Sequence, residues 1–146
     1  MSTTLYTYAS DQVFVTFGPI TMNDGRDDGD FCVVEQNEDA FALQIGTDGE
    51  ACRSKSNNRS GTITITLMAS SPTNDLLSAM YNVDINSNGD GINPMGVVDL
   101  SGTSLFAAEK AWIKKPPSTT FSRESGSREW VFETNVLVQH HGGNAL

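Results

Sequence analysis

The stretch that decides the fold is Gly61-Thr62-Ile63-Thr64-Ile65-Thr66-Leu67-Met68-Ala69. Its side chains alternate strictly. Thr62, Thr64 and Thr66 lie on one face, and Ile63, Ile65 and Leu67 on the other. A period of two is that of an extended backbone, and the β-branched residues favour it sterically. The apolar face must be dry and the threonine face wet. Because that wet face is neutral and rich in hydroxyls, it suits the wall of a water-filled channel as well as an ordinary exterior.

The same period recurs on both sides. Gln12–Gly18 places Val13, Val15 and Phe17 on one face. Phe31–Gln36 is a second apolar strand, and Asp39–Ile45 is a third with Phe41, Leu43 and Ile45 expected inward. Met95–Leu100 forms another, starting no earlier than Pro94 allows. Leu105–Lys115 sets Phe106, Ala108, Lys110 and Trp112 against Leu105, Ala107, Ala111 and Ile113, and Pro116-Pro117 ends it. Glu129–Gln139 is the last, with large apolar residues on both faces.

One segment changes period. Ser70–Asn82 reads as a short helix, with Ser71 as its cap, Pro72 in the first turn and Asp75 near the positive end. Leu76, Leu77, Met80 and Tyr81 form its apolar stripe and are expected to pack on the sheet or a neighbouring subunit. The sum is seven or eight strands and one helix. The fold class is therefore mainly β, an antiparallel β-sandwich or small barrel with one short α-helix. The 146 residues make a single domain, 1–146, with residues 139–146 expected to form a flexible tail.

The charge is lopsided. Of 18 acids and 9 bases, residues 1–50 hold ten acids and one base, Arg26, whereas residues 51–146 hold eight of each. A chain at −9 repels phosphate and does not grip nucleic acid through a basic patch. No run approaches 18 apolar residues, so no membrane-spanning helix and no membrane binding are expected. Met1–Tyr6 lacks the basic start and apolar run of a secretory signal.

Chemistry-bearing motifs are scarce. Asn23–Asp30, with Asp24, Asp27, Asp28 and Asp30, reads as a solvated loop. Asp84–Gly91 begins like a calcium loop, but Met95 stands where the closing Glu belongs. His140 and His141 have no ligand spacing around them. Cys32 lies in an apolar run and reads as a core residue; with Cys52 it makes no C-x-x-C. Trp112 and Trp130 read as core or subunit contacts. No nucleophile elbow, phosphate loop or dinucleotide fingerprint occurs. The expectation is no enzyme, no cofactor and no metal site.

The polar connection Gly46–Ser60 is too long for a tight hairpin and should protrude. Three of the nine bases, Arg53, Lys55 and Arg59, sit in it. They are expected to meet acids of a neighbouring copy, such as Asp24, Asp27, Asp28 and Asp30.

The order of these features resembles a known family. An alternating N-terminal strand leads into the acidic Gly/Asp loop. Then follow Asp39–Glu50, Ser60–Leu67, Ser70–Asn82, Ala111–Pro117 and Glu129–Glu133. Over roughly residues 10–138 this is similar to the small tail tube proteins of contractile-tailed bacteriophages, most specifically from Gly46 to Asn82. The resemblance implies a subunit of six-membered rings stacked into a tube inside a sheath, with DNA passing down the lumen and loops joining the rings. It also implies sheath, baseplate and tail terminator partners, and a place in the virion after synthesis in the host bacterial cytoplasm. Thr62, Thr64 and Thr66 become candidates to line the lumen, with Glu133 and Asn135 behind them. A β-sandwich adhesion module and a baseplate component are the competing readings.

Overall fold

The computed structural model describes residues 4–143. Ten strands and one helix follow a short 3-10 turn at Ser10–Gln12. The strands are β1 (Val13–Phe17), β2 (Ile20–Thr21), β3 (Cys32–Gln36), β4 (Phe41–Ile45), β5 (Ala51–Lys55) and β6 (Gly61–Met68). After the helix α1 (Thr73–Ile85) come β7 (Asn93–Asp99), β8 (Leu105–Lys115), β9 (Ser127–Thr134) and β10 (Val138–His140).

Eight strands make one antiparallel sheet in the order β2-β1-β7-β8-β9-β6-β3, with β10 paired to the first part of β8. Three steps separate β1 from β9 in that order, which in a flat sheet would put them about 14 Å apart. Yet the rings of Phe17 on β1 and Phe132 on β9 are 5.0 Å apart. The sheet therefore bends over on itself, and its concave face is the core. Val15, Phe17, Ile63, Ile65, Leu67 and Phe132 are fully or almost fully buried there. The face assignments of β1 and β6 hold along their whole length, because every second residue of each is buried.

The helix covers one end of this core. Leu77 is completely buried, and Met80 and Tyr81 pack against the cluster. The hydroxyl of Ser71 accepts the Thr73 N–H at 3.3 Å, and the indole N–H of the buried Trp130 donates to Asn74 Oδ1 at 2.9 Å. Two details depart from expectation. Leu76 is 54% exposed within the chain. The helix also runs three residues past Asn82, to Ile85, because its last carbonyls find acceptable donors. The Asn86 side chain donates to the Asn82 carbonyl and Ser87 Oγ to that of Val83. Asp84, expected to open a loop, is thus helical, and its carboxylate accepts the Gly91 N–H at 3.4 Å.

Period two misassigns β8. Met95 opposes Ala108 and Asn93 opposes Ala111, so two steps on β7 match three on β8. This β-bulge leaves Glu109 and Lys110 both exposed and reverses the strand's facing. Ala108 and Ala111 are both buried although they are three positions apart, an offset that a regular strand would put on opposite faces. The last expected strand is broken too. Trp130, Phe132 and Thr134 face inward from β9, then the chain bends at 135–137, burying Leu137. Residues expected in the tail carry structure: His140 pairs with Leu105, and Gly142 exchanges hydrogen bonds with Ser104.

The loop at 23–30 is not wholly solvated. Arg26 is half-buried, lying over the Phe31 ring at 4.6 Å. Its guanidinium donates to the carbonyls of Met22, Ser10 and Val13 and to Asn23 Oδ1. The one base of the first fifty residues therefore ties the acidic loop to the start of β1.

Candidate assembly and lumen surfaces

Two surfaces stand out, one smooth and one protruding. The smooth one is the convex side of β3, β6 and β9. Thr62, Thr64 and Thr66 point away from the core, since Ile63, Ile65 and Leu67 point into it. Residues directly opposite one another on paired strands share a face. On the β9 side these are Glu133, Val131 and Glu129; on the β3 side they are Glu35 and Val33. Three hydroxyls are thus flanked by three carboxylates. Asn37 anchors one corner: Thr62 Oγ1 donates to its Oδ1 at 2.5 Å, and its amide donates to Ser60 Oγ at 3.0 Å and Glu133 Oε1 at 3.4 Å. Asn135 does not continue this row; it is exposed at the bend beyond β9. Glu35 and Glu129 belong to the surface but were missed by sequence reasoning. Only the register of β6 with its two neighbours brings them beside the threonines.

The protruding surface is a two-stranded hairpin, β4–β5, separate from the main sheet. It corrects the expectations for this region twice. The polar connection contains a strand, β5, and its turn is short: the Gly46 N–H donates to the Glu50 carbonyl at 2.8 Å, and Gly49 turns with φ +86°. Moreover, Phe41, Leu43 and Ile45, expected inward, are 48%, 68% and 63% exposed. Their alternation is real, but no described residue covers them.

Register defines the hairpin's two faces. Phe41 opposes Lys55, Leu43 opposes Arg53 and Ile45 opposes Ala51. One face is therefore apolar and basic, and the Arg53 guanidinium lies over the Phe41 ring at 4.2 Å. The other carries Ala42, Gln44, Cys52 and Ser54, uncharged and small apart from Gln44. The hairpin's base is fastened down. The Asn37 N–H donates to the Ser60 carbonyl and the Ser56 N–H to that of Ala40. The Glu38 carboxylate accepts from Asn58 Nδ2 at 2.6 Å. Arg59 belongs to this base rather than to the hairpin face, bridging to Val136. Asp24, Asp28 and Asp30 are exposed on the 23–30 loop and Asp27 is half-buried.

Among the described residues no group of three or more His, Cys, Asp or Glu side chains is placed to hold a metal ion. Two cysteines differ sharply: Cys52 is exposed, whereas burial pushes the Cys32 thiol up to about 11.

The fold is thus a bent antiparallel sheet capped by one helix, with a detached hairpin. The family model described as "Bacteriophage PhiTE tail tube protein" matches residues 1–142. The chain belongs to this tail tube family. Among curated proteins it is similar to "Structural protein ORF10" of Pseudomonas phage KPP10, 28% identical over 144 residues, covering 94% of this chain and 83% of that protein. Solved structures share the fold. The cap of the anti-feeding prophage, which terminates its tube, superposes with a TM-score of 0.61 at 11% identity, covering 96% of this chain and 95% of the other. A chain of the sheath–tube complex of an extracellular contractile injection system, in its extended state, gives 0.59 at 14% identity, with 92% of each chain covered. One from the sheath/tube terminator of such a system gives 0.59 at 12% identity, covering 95% of this tail tube protein and all of that chain.

Proposed function

We propose that this tail tube protein closes into six-membered rings that stack into a tube, and that DNA passes along the lumen without being bound. The observation that carries the reading is the convex wall of β3, β6 and β9, where Thr62, Thr64 and Thr66 are flanked by Glu35, Glu129 and Glu133. A conduit repeats each of its contacts in every ring, so bases within the wall would become ladders of phosphate traps; the nearest, Lys115, opposes Val131 at the β8 edge, beyond the threonine row and its carboxylates. Hydroxyls hydrate without holding a polyanion, and carboxylates repel it. On this reading Thr62, Thr64, Thr66 and Glu133 line the lumen, with Asn135 at its margin. The sheath surrounds the tube, a terminator and baseplate close its ends, and the protein is a component of the virion.

Replacing Thr62 and Thr64 with Lys tests the wall. Both side chains are already on the wet face, so the subunit should fold. Particles carrying the change should eject DNA slowly or not at all, most visibly at low ionic strength. Microscopy of assemblies should show six-fold rings with these threonines inside. Finding them against the sheath, or finding only closed dimers at high concentration and in the particle, refutes the proposal. The same fold in a tube-terminating cap suggests a second role at the tube end. Copy number separates the two, since a tube uses many rings and a cap one.

A further inference from the structure

The segment that follows α1 uses its side chains unevenly. Asn86 and Ser87 donate theirs to the last helical carbonyls, those of Asn82 and Val83. Ser87 Oγ also accepts the Asp90 N–H at 3.2 Å, and the Ile92 N–H closes a turn on the Gly89 carbonyl at 3.1 Å. Between these anchors Asn88 is exposed. Neither its side chain nor the Gly89 N–H meets a hydrogen-bond partner among the described residues. Asn88-Gly89 is also the one Asn-Gly step in the sequence. Gly89 has no side chain to shield its nitrogen, and its φ of +118° would strain any other residue there.

We propose that Asn88 is a self-modifying site, at which the main-chain nitrogen of Gly89 displaces the side-chain amide and leaves an aspartate, chiefly β-linked. Solvent hydroxide takes the Gly89 amide proton. The nitrogen then bonds to Asn88 Cγ, the Cγ–Nδ2 bond breaks, and ammonia leaves with a proton from water, closing a cyclic imide. Water reopens the ring. Breaking the bond from the Gly89 nitrogen to Cγ gives ordinary aspartate. Breaking its bond to the Asn88 main-chain carbonyl carbon gives the β-linked form. Nothing is oxidised or reduced, and water is the only co-reactant.

The first step needs a backbone N–H that base can reach, and a hydrogen bond protects against it. This separates Gly89 from the glycines that follow an acid. The Gly29 N–H, after Asp28, donates to Asp27 at 3.4 Å. The Gly49 N–H, after Asp48, donates to the Gly46 carbonyl at 3.0 Å, and the Gly91 N–H, after Asp90, to Asp84 at 3.4 Å. These steps, like Asp24-Gly25, also present a carboxylate, which releases oxygen far less readily than an amide releases ammonia. The amides of Asn37, Asn58, Asn74, Asn86 and Asn93 each donate a hydrogen bond, and none of these residues precedes a glycine. Conversion places a new carboxylate between Asp84 and Asp90, just past the negative end of α1, where the helix dipole opposes it. The β linkage adds a methylene to the main chain next to the turn closed at Ile92.

Peptide mapping of the full-length subunit tests this, and its readout does not depend on assembly. The folded protein is held at mildly alkaline pH and sampled by mass spectrometry, with isoaspartyl methyltransferase as the probe of β linkage. Peptides containing Asn88 should gain the amide-to-acid mass difference, at a rate within an order of magnitude of that in urea, and should accept the methyl group. Every other asparagine should react at least an order of magnitude more slowly, and the Asp28, Asp48 and Asp90 steps should form β linkages only in urea. Asn88→Gln should abolish the early conversion with an unchanged melting temperature. An intact Asn88 in the folded subunit, under conditions that convert it in urea, would overturn the proposal, because the fold would then be shielding the nitrogen. Undiminished conversion in Asn88→Gln would place the reaction elsewhere and overturn it equally.

Discussion

Replacing Thr134 with Val should make this protein more stable, against the usual direction of a core substitution. Thr134 ends β9, fully buried between Gly61 of β6 and Ala111 of β8. Its Oγ1 is buried without a hydrogen-bond partner. A hydroxyl in that position has surrendered its water bonds and received nothing, which costs about 1–3 kcal/mol. Valine keeps the branched shape that suits a strand and puts a methyl where the hydroxyl stood. The expected gain is about 1–3 kcal/mol. For a chain of this size each kcal/mol moves the melting temperature by about 2–4 °C, so a rise of roughly 2–12 °C is expected. Urea titration of the unassembled subunit is the assay, with the slope unchanged and the midpoint raised. Thr134→Ser is the control. It keeps the hydroxyl, removes a buried methyl, and should lose about 1 kcal/mol. A lower midpoint for Thr134→Val, with the slope preserved, would mean that the hydroxyl is bonded and that the packing around the end of β9 has been misread.

Leu77→Ala should cost about 2–5 kcal/mol because the side chain is wholly buried, whereas Leu76→Ala should leave the isolated subunit almost unchanged; equal losses in thermal melts would place the wrong helix face on the core. Maleimide at neutral pH should label Cys52 rapidly and Cys32 only on unfolding, read by mass spectrometry of the folded protein. The raised Cys32 pKa makes the folded state hold its proton longer than the unfolded state, whose thiol titrates near 9.0. Stability from this source is complete below about pH 9 and declines as the pH rises toward 11. Cys32→Ala should remove that part of the alkaline slope, and an identical slope in both proteins would show that Cys32 does not carry it.

Sequence alone determined what depends on neighbouring residues. The alternation of Val13, Val15 and Phe17, and that of Ile63, Ile65 and Leu67, assigned strands and buried faces that the structure reproduces. Steric preference and period two act within a few residues of one another and need no knowledge of the rest of the chain. The helix was legible for the same reason, from a proline and serine at its start and a new spacing of apolar residues after them. Tertiary structure decided the rest. The extra residue at Glu109–Lys110 reverses β8 because it is counted against β7, a strand that sequence cannot place beside it. Glu35 and Glu129 join the threonine wall through register with β6. Phe41, Leu43 and Ile45 show the limit most plainly. Their alternation says that the two faces of a strand differ, and it is blind to what covers the apolar one. A face buried in its own core and a face that meets another molecule carry the same pattern, because the free energy of removing apolar surface from water does not depend on whose atoms do the covering.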